Sequence, residues 1–455
     1  MTWQAVADVA TWFFLAYFAA LGVGSFLLHA CSLLEVPRQL EVGLPELLPR
    51  PHSGYEPPVS VIVPAYHPKE KVTATVHAIL KLEYPEFEVV VVNDGSRAGT
   101  LEALIREFAL VRFPVADRRR IETRHVHGVY RSSRFPNLRV VDKDDGGKAD
   151  AANAGINAAR YPLVCVVDAD SILERSSLRR VVLPFLTERN TIAAGGCVRI
   201  ADGCEVRDGF LENVGLPRRV LPMAQVVEYL RAFLFGRLGW APLNAVPVVS
   251  GTFGVFRTES VVAAGGYRQD TVGEDMELVM RLHRLNRIAG TPYRIAFLVS
   301  PVAWKPAPAS AAALRDQRIR WQRGLGESLS RNRELLFHRR GGAPGWLMMP
   351  FMVTFELFGP LIELSGYLFM LIGLVCGFVS APVFWSFLLL VVSLGVLLSI
   401  SALLLEEVSC HIYTRRGNLL ALVCMAIVEN LGYHQLVLWW RLQGIYQWAT
   451  RSVAR

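Results

Sequence analysis

Hydrophobic positions fall along this chain in three kinds of run. From about Val9 to Leu34 the residues are almost unbroken in their apolar character. Roughly 20 helical residues at about 1.5 Å each cross a hydrocarbon core, so a transmembrane helix is expected. No basic segment precedes this run, and it is too long for the apolar part of a signal peptide. A Pro-rich stretch over residues 37–58 then reads as a linker. From Val59 short apolar runs alternate with helix-length segments: VSVIVPAY (59–66), a helix from Glu70 to Leu82, FEVVVVND (87–94), and a helix from Leu101 to Leu110. LRVVD (138–142), an Ala-rich helix from Lys148 to Ala159, and LVCVVDAD (163–170) complete the series. Such alternation predicts a mostly parallel sheet with helices on both faces, taking its ligand at the carboxyl ends of the strands. After Arg340 the long apolar runs return. Trp346 to Phe358 is expected as an interfacial helix, with Leu361 to Val379 and Val383 to Leu405 as spans. Leu419 to Trp440 is interrupted by Glu429, Asn430 and His434 around Gly432, and reads as a further span or a broken re-entrant segment.

Composition supports this division. Hydrophobic residues make up 52% of the 455, more than a soluble chain of this length carries. The formal charge of +8 comes from Arg dispersed beside apolar segments. That distribution fits the cytoplasmic face of a membrane protein or an anionic substrate, and no nucleic-acid partner is expected. No Lys or Arg precedes the first apolar run, whereas Arg38, Arg50 and an Arg-rich region follow it. The positive-inside rule then places the N-terminus outside and the chain from about residue 36 in the cytoplasm, in a multi-pass protein of the cell (inner) membrane. The seven cysteines (31, 165, 197, 204, 376, 410 and 424) form no CxxC or zinc spacing, and read as reduced packing residues.

Candidate chemistry gathers at the strand ends. Asp168 and Asp170 follow the last strand of the series with the small Ala169 between them. Two carboxylates so placed can meet a hard cation carrying phosphate oxygens, Mg²⁺ or Mn²⁺, although acids after strands also form turns and helix caps. Asp94, Gly95 and Ser96 end the second strand, where a simple turn is the alternative. Lys148 opens a helix after Gly146 and Gly147, and a cation there can reach a phosphate that the helix N-terminus also attracts. Glu274 and Asp275 open another helix, where capping would serve equally. Gln317, Arg320 and Trp321 lie at i, i+3 and i+4, hence on one face. Arg and Trp together suit a diphosphate and a sugar ring, with a basic helix lying on anionic lipid as the alternative.

Three further segments are less specific. The insert from Phe113 to Asn137, with Arg118, Arg119, Arg120, Arg124, Arg131 and Arg134, reads as a solvated or lipid-facing loop. VEYLRAFLFGRLGW (227–240) reads as an amphipathic helix at the membrane face or as core. Glu356, Glu363 and Glu429 are acids in or near apolar helices, costly there unless they face a polar path or snorkel to the interface.

VSVIVPAY, VVNDGS, DGGKADAANAGIN, VVDADS, SGTFGVFR, GEDMELVMRLHR and QRIRW, in this order and bracketed by membrane helices, resemble the membrane-embedded family 2 glycosyltransferases. That group includes the poly-N-acetylglucosamine, hyaluronan and cellulose synthases. The resemblance runs from about Val59 to Arg323. It implies an α/β fold of the GT-A type, Rossmann-like with a mostly parallel sheet, as a cytoplasmic domain joined to α-helical transmembrane segments. The implied division is a first transmembrane helix (1–36), a linker (37–58), the transferase domain (59–340) and C-terminal interfacial and transmembrane helices (341–455).

The implied reaction moves a hexosyl or N-acetylhexosaminyl group from a nucleotide-sugar, a UDP-sugar foremost, to a hydroxyl, inverting the anomeric centre. The acceptor is a growing β-linked polysaccharide that is exported, or a single membrane lipid such as a polyprenyl phosphate or glycolipid. The bilayer is a partner in both cases, and an oligomer or accessory subunit is compatible with either. By the same resemblance Pro64, Ala65, Asp94, Lys148 and Asp168 bind the donor, and Asp170 with Asp168 holds the metal. Asp275 is the general base, and Glu274, Gln317, Arg320 and Trp321 serve the acceptor and diphosphate. Thr252 stands where the family commonly has Ala or Ser, a departure that bears on acceptor contacts.

Overall fold

A computed structural model describes residues 3–43, 54–65, 69–96, 99–114, 119–413 and 416–453. Tyr66, Arg118 and Arg415 thus lie outside the described residues. One sheet of twelve strands organises the chain. Its strands are Val59–Ala65 (β1), Phe87–Asp94 (β2), Leu110–Phe113 (β3), Val126–Ser132 (β4), Leu138–Lys143 (β5) and Leu163–Val167 (β6). There follow Ile172–Leu173 (β7), Thr191–Ile200 (β8), Glu205–Arg207 (β9), Phe210–Asn213 (β10), Phe253–Arg257 (β11) and Arg294–Lys305 (β12). The spatial order is β3-β4-β5-β2-β1-β6-β11-β8-β12-β7-β10-β9.

The four strands legible in the sequence, β5, β2, β1 and β6, lie side by side and parallel. Their continuous apolar runs are buried on both faces, as parallel strands require. Beyond β6 the sheet is mixed, because β11 returns antiparallel between β6 and β8. The helix Gly147–Ala158 packs on β1 through its small residues, and a Cβ on Gly155 would stand 2.3 Å from Ile62 Cγ2. That close approach holds the start of this helix at the carboxyl edge of the sheet.

The insert expected as a loop instead extends the sheet. β3 and β4 form an antiparallel pair and β4 joins β5. Its charged residues hid the pattern, since β3 is an edge strand and neither strand is buried on both faces as the central ones are.

Among the described residues three helices are long and apolar enough to cross a membrane: Ala7–Gln39, Gly359–Cys376 and Ala381–Ser409. A fourth crossing is made if Gly417–Leu431 and Tyr433–Thr450, bent by 52° at their junction, count as one span. The chain is a membrane protein. The first helix continues through Pro37 to Gly43, beyond the boundary expected at residue 36. Its Gln39 donates to the Phe297 carbonyl at 2.9 Å and accepts from the Val299 N–H at 2.8 Å, fastening the helix to β12. The expected interfacial helix is π-wound over Pro344–Met348 and Met352–Leu357. The 227–240 segment supplies a buried helix, Val220–Leu234, packed against both β8 and the helix Ala381–Ser409. All seven cysteines are free thiols.

Candidate active site

Asp168, Ala169 and Asp170 leave β6 in a tight turn, in which the Ser171 N–H donates to the Asp168 carbonyl at 3.0 Å. Across from them Gly147, at φ +81°, turns the chain into its helix, a backbone region that favours glycine. Lys148 therefore stands in the first turn and reaches across the sheet edge. Its Nζ lies 2.8 Å from Asp168 Oδ1, 3.7 Å from Glu274 Oε1 and 4.0 Å from Asp275 Oδ2. It also donates to the Gly251 carbonyl at 3.2 Å.

These residues surround a cavity of about 670 Å³. Asp94, Lys148, Asp168, Glu274, Asp275, Gln317, Arg320 and Trp321, separated by up to 227 positions in the chain, all line it. Pro64 and Ala65 do not: they are buried at the end of β1, opposite Val92 and Asn93 of β2. Asp170 stands outside the cavity wall, its Oδ1 3.6 Å from Lys305 Nζ.

Six carboxylates and four cationic side chains line the cavity. Two of the six are neutralised from behind. Asp94 pairs with Lys143 and accepts from the Gly146 N–H at 3.0 Å. Glu228 accepts from Arg318 Nη2 at 2.6 Å and from the Tyr433 hydroxyl at 2.7 Å. That leaves Asp145, Asp168, Glu274 and Asp275 against Lys148, Arg237, Lys305 and Arg320, a balance that lets the site receive an anion.

The local fields sort the carboxylates. Burial alone would raise Asp168, but Lys148 and Lys305 outweigh it and bring its pKa down to about 2. Burial pushes Glu274 up to about 7, and the Asp275 charge adds to this while Lys148 opposes it. Asp275 is also raised by burial, against the pull of Lys148. Lys148 sits well above its usual range, because Asp275, Asp168 and Glu274 overcome the cost of burying it.

The helix Ala311–Arg331 carries Gln317, Arg320 and Trp321 to the cavity, as their spacing on one face requires. Arg318, buried on the same helix, lies over the Trp321 ring at 4.5 Å from its centroid and steadies it. This helix meets the loop before Glu274 backbone to backbone: a Cβ on Gly273 would stand 2.8 Å from Gly324 Cα.

Four residues that line the cavity were not among the site candidates read from the sequence. Lys305 ends a strand-length apolar run, the same signal that marked Asp168. Arg237 and Glu228 lay within the segment read as amphipathic helix or core. Gly251 entered only within the motif SGTFGVFR, yet a Cβ there would fall 1.7 Å from Asp275 Oδ2. Gly251→Ala is expected to displace that carboxylate and lower kcat by about 10²-fold, the cost of misplacing a reacting group by about 1 Å. Initial-rate kinetics beside a nucleotide titration check that turnover falls far more than binding.

A second cavity, of about 320 Å³, lies among the membrane helices and shares Glu228 and Ala232 with the first. The acids in the apolar runs are paired here. Glu356 is 2.9 Å from Arg441 Nη2, and Glu363 is 2.9 Å from His434 Nε2. Glu429 is 2.8 Å from Arg231 Nη1 and accepts from Ser399 Oγ at 2.6 Å.

Among the described residues no three His, Cys, Asp or Glu side chains converge as a metal cage. Asp170 Oδ1 is nonetheless buried without a hydrogen bond. It is the hard oxygen donor that a divalent cation also bound to phosphate oxygens would use.

Asp94, Lys148, Asp168 and Asp275 thus converge beyond the carboxyl edge of the parallel strands, the place where an open α/β sheet takes its ligand. The chain belongs to glycosyltransferase like family 2, whose family model matches residues 57–324. Curated relatives include the poly-beta-1,6-N-acetyl-D-glucosamine synthases of Staphylococcus epidermidis, 26% identical over 274 residues, and of Staphylococcus aureus strain COL, 25% identical over 275. Each match covers 60% of this chain and 56% of the relative. The chain therefore aligns with little more than half the length of these proteins. Among solved structures, the mannosyltransferase PcManGT from Pyrobaculum calidifontis, in complex with GDP-Man and Mn²⁺, is 19% identical. That match has a TM-score of 0.47 and covers 91% of this chain and 99% of that one. TarS 1-349 of S. aureus, in complex with UDP-GlcNAc, is 15% identical, with a TM-score of 0.38 over 83% of this chain and 91% of that one.

Proposed function

We propose that this chain is an inverting transferase that moves a sugar from a UDP-sugar to a hydroxyl acceptor, repeatedly, building a β-linked polysaccharide that leaves through its own membrane helices. The observation that carries this reading is the common wall of the two cavities. Glu228 and Ala232 face the catalytic space on one side and the space among the membrane helices on the other. In the same reading the N-terminus lies outside, residues 59–340 form the cytoplasmic transferase domain, and residues 341–455 complete the membrane part.

In this reading Asp94 holds the nucleotide base, while Lys148 and Arg320 hold the diphosphate. Trp321 and Gln317 seat the acceptor sugar. The acceptor oxygen attacks the anomeric carbon as the bond to the diphosphate breaks on the opposite face, and Asp275 takes the hydroxyl proton. Charge then builds on the leaving diphosphate, where the preorganised cations Lys148 and Arg320 stabilise it. Asp170, with Asp168 beside it, would hold Mg²⁺ or Mn²⁺, which supplies further charge neutralisation at the leaving group. Glu274 shares the field of Lys148 with Asp275 and so tunes the base.

A second reading, transfer of one sugar to a membrane lipid, is favoured by the small number of spans and by the 320 Å³ volume of the membrane cavity. Nucleoside-diphosphate release from a panel of UDP-, GDP- and dTDP-sugars with Mg²⁺ or Mn²⁺ tests the proposal, with products sized before and after lipid extraction. High-mass product from one UDP-sugar without added acceptor supports the synthase. A single product that partitions into organic solvent replaces it with the lipid transferase, and release from none of the donors overturns both.

A further inference from the structure

Lys305 closes β12, and the register of that strand against Ile200 of β8 fixes where its side chain begins. Its Nζ lies 2.8 Å from Asp168 Oδ2 and 3.6 Å from Asp170 Oδ1. Lys148 takes the other Asp168 oxygen at 2.8 Å. Asp168 is thus neutralised on both oxygens, and an ammonium stands between the two carboxylates that a bridging divalent cation would have to share. A dication and an ammonium held so close repel, and in a half-buried site that repulsion is only weakly screened.

We propose that Lys305 is the resident cation of the Asp168–Asp170 pair: it suppresses metal binding to the empty site and turns to the diphosphate when the donor arrives, so that metal enters together with the nucleotide. The Asp170 carboxylate, whose Oδ1 makes no hydrogen bond, is then what this pair offers the metal, and the diphosphate brings the other oxygens. The same ammonium gives the site affinity for a nucleoside diphosphate before any metal is present. This inference rests on the reading of the cavity as a nucleotide-sugar site.

The test is Mn²⁺ titration of the full chain in detergent, followed by electron paramagnetic resonance, with and without UDP. Wild type is expected to bind Mn²⁺ weakly alone and strongly with UDP. Lys305→Met is expected to bind Mn²⁺ without UDP about tenfold more tightly than wild type, the order expected on removing a unit charge about 4 Å from the ion. Adding Asp170→Ala to that variant should abolish the gain, and Lys305→Arg, which keeps the charge, should behave as wild type. In EDTA, wild type should retain UDP binding that Lys305→Met loses. Lys305→Gln provides a second neutral variant, and UDP binding in the presence of Mn²⁺ reports that each variant is folded. Wild type that binds no UDP under any condition overturns the site reading and this inference with it. UDP binding with unchanged Mn²⁺ affinity in both neutral variants overturns the role of Lys305 alone.

Discussion

Asp275→Asn is expected to lower turnover by about 10² to 10⁴-fold, the usual contribution of a positioned general base, while nucleotide binding stays close to wild type. The amide keeps the shape of the carboxylate beside Gly251 and removes its charge and with it the capacity to take a proton. Nucleotide titration should therefore remain normal while product formation nearly stops, and full activity in this variant would remove Asp275 from the mechanism.

The same carboxylates set a pH dependence. The proposed mechanism needs Asp275 ionised, and burial raises both Asp275 and Glu274, the latter to about 7. Activity is expected to fall on acidification at a pH above the ordinary carboxylate range. Glu274→Gln removes a neighbouring negative charge from Asp275, so the acid limb of kcat should move to lower pH. For stability the sign is opposite to that of a salt-bridged acid. The folded chain holds the Glu274 proton more tightly than the unfolded chain does, so the contribution of this group declines as pH rises from 4.5 towards about 7.

The second large effect concerns stability. Arg199, in β8, pairs with Glu406 near the end of the membrane helix Ala381–Ser409, and both are almost wholly buried. Arg199 Nε, Arg199 Nη1 and Glu406 Oε1 have no hydrogen-bond partner, so the pair is held by a single contact. Arg199→Met would strand the carboxylate in an apolar setting, and removing one partner of a buried pair costs about 3 to 5 kcal/mol. A large fall in the detergent melting temperature is expected. Arg199→Met with Glu406→Leu should recover most of it, because replacing both charges by apolar side chains is often neutral or stabilising. A double variant no better than the single one would show that the arginine stem, not the charge, holds sheet to helix.

Much of this was legible in the sequence where the determinants are local. β1, β2, β5 and β6 announced themselves as apolar runs, because a parallel strand is covered on both faces. Asp94, Lys148, Asp168 and Asp275 stood out as charges at the ends of such runs or at helix starts. What stayed hidden depends on chain segments meeting from afar. Lys305 reaches Asp168 across 137 positions, and no spacing rule joins them. β3 and β4 were masked by arginines, since this end of the sheet is not covered on both faces and tolerates charge. Gly251 lies in a small-residue run that allows close approach to a ligand, but nothing local showed that its close neighbour is Asp275. Gly432 was the reverse: the polar interruption around it in an apolar run foretold the bend found there.

The touching backbones of Gly273 and Gly324 join the loop before Asp275 to the helix that bears Arg320 and Trp321. Glu327 strengthens the joint, accepting from the Thr271 hydroxyl at 2.7 Å and from the Val272 N–H at 3.1 Å. The face that carries Arg320 and Trp321 is thereby tied to the loop that carries Asp275. In the proposed mechanism an acceptor that tilts the tryptophan would re-aim the base with it.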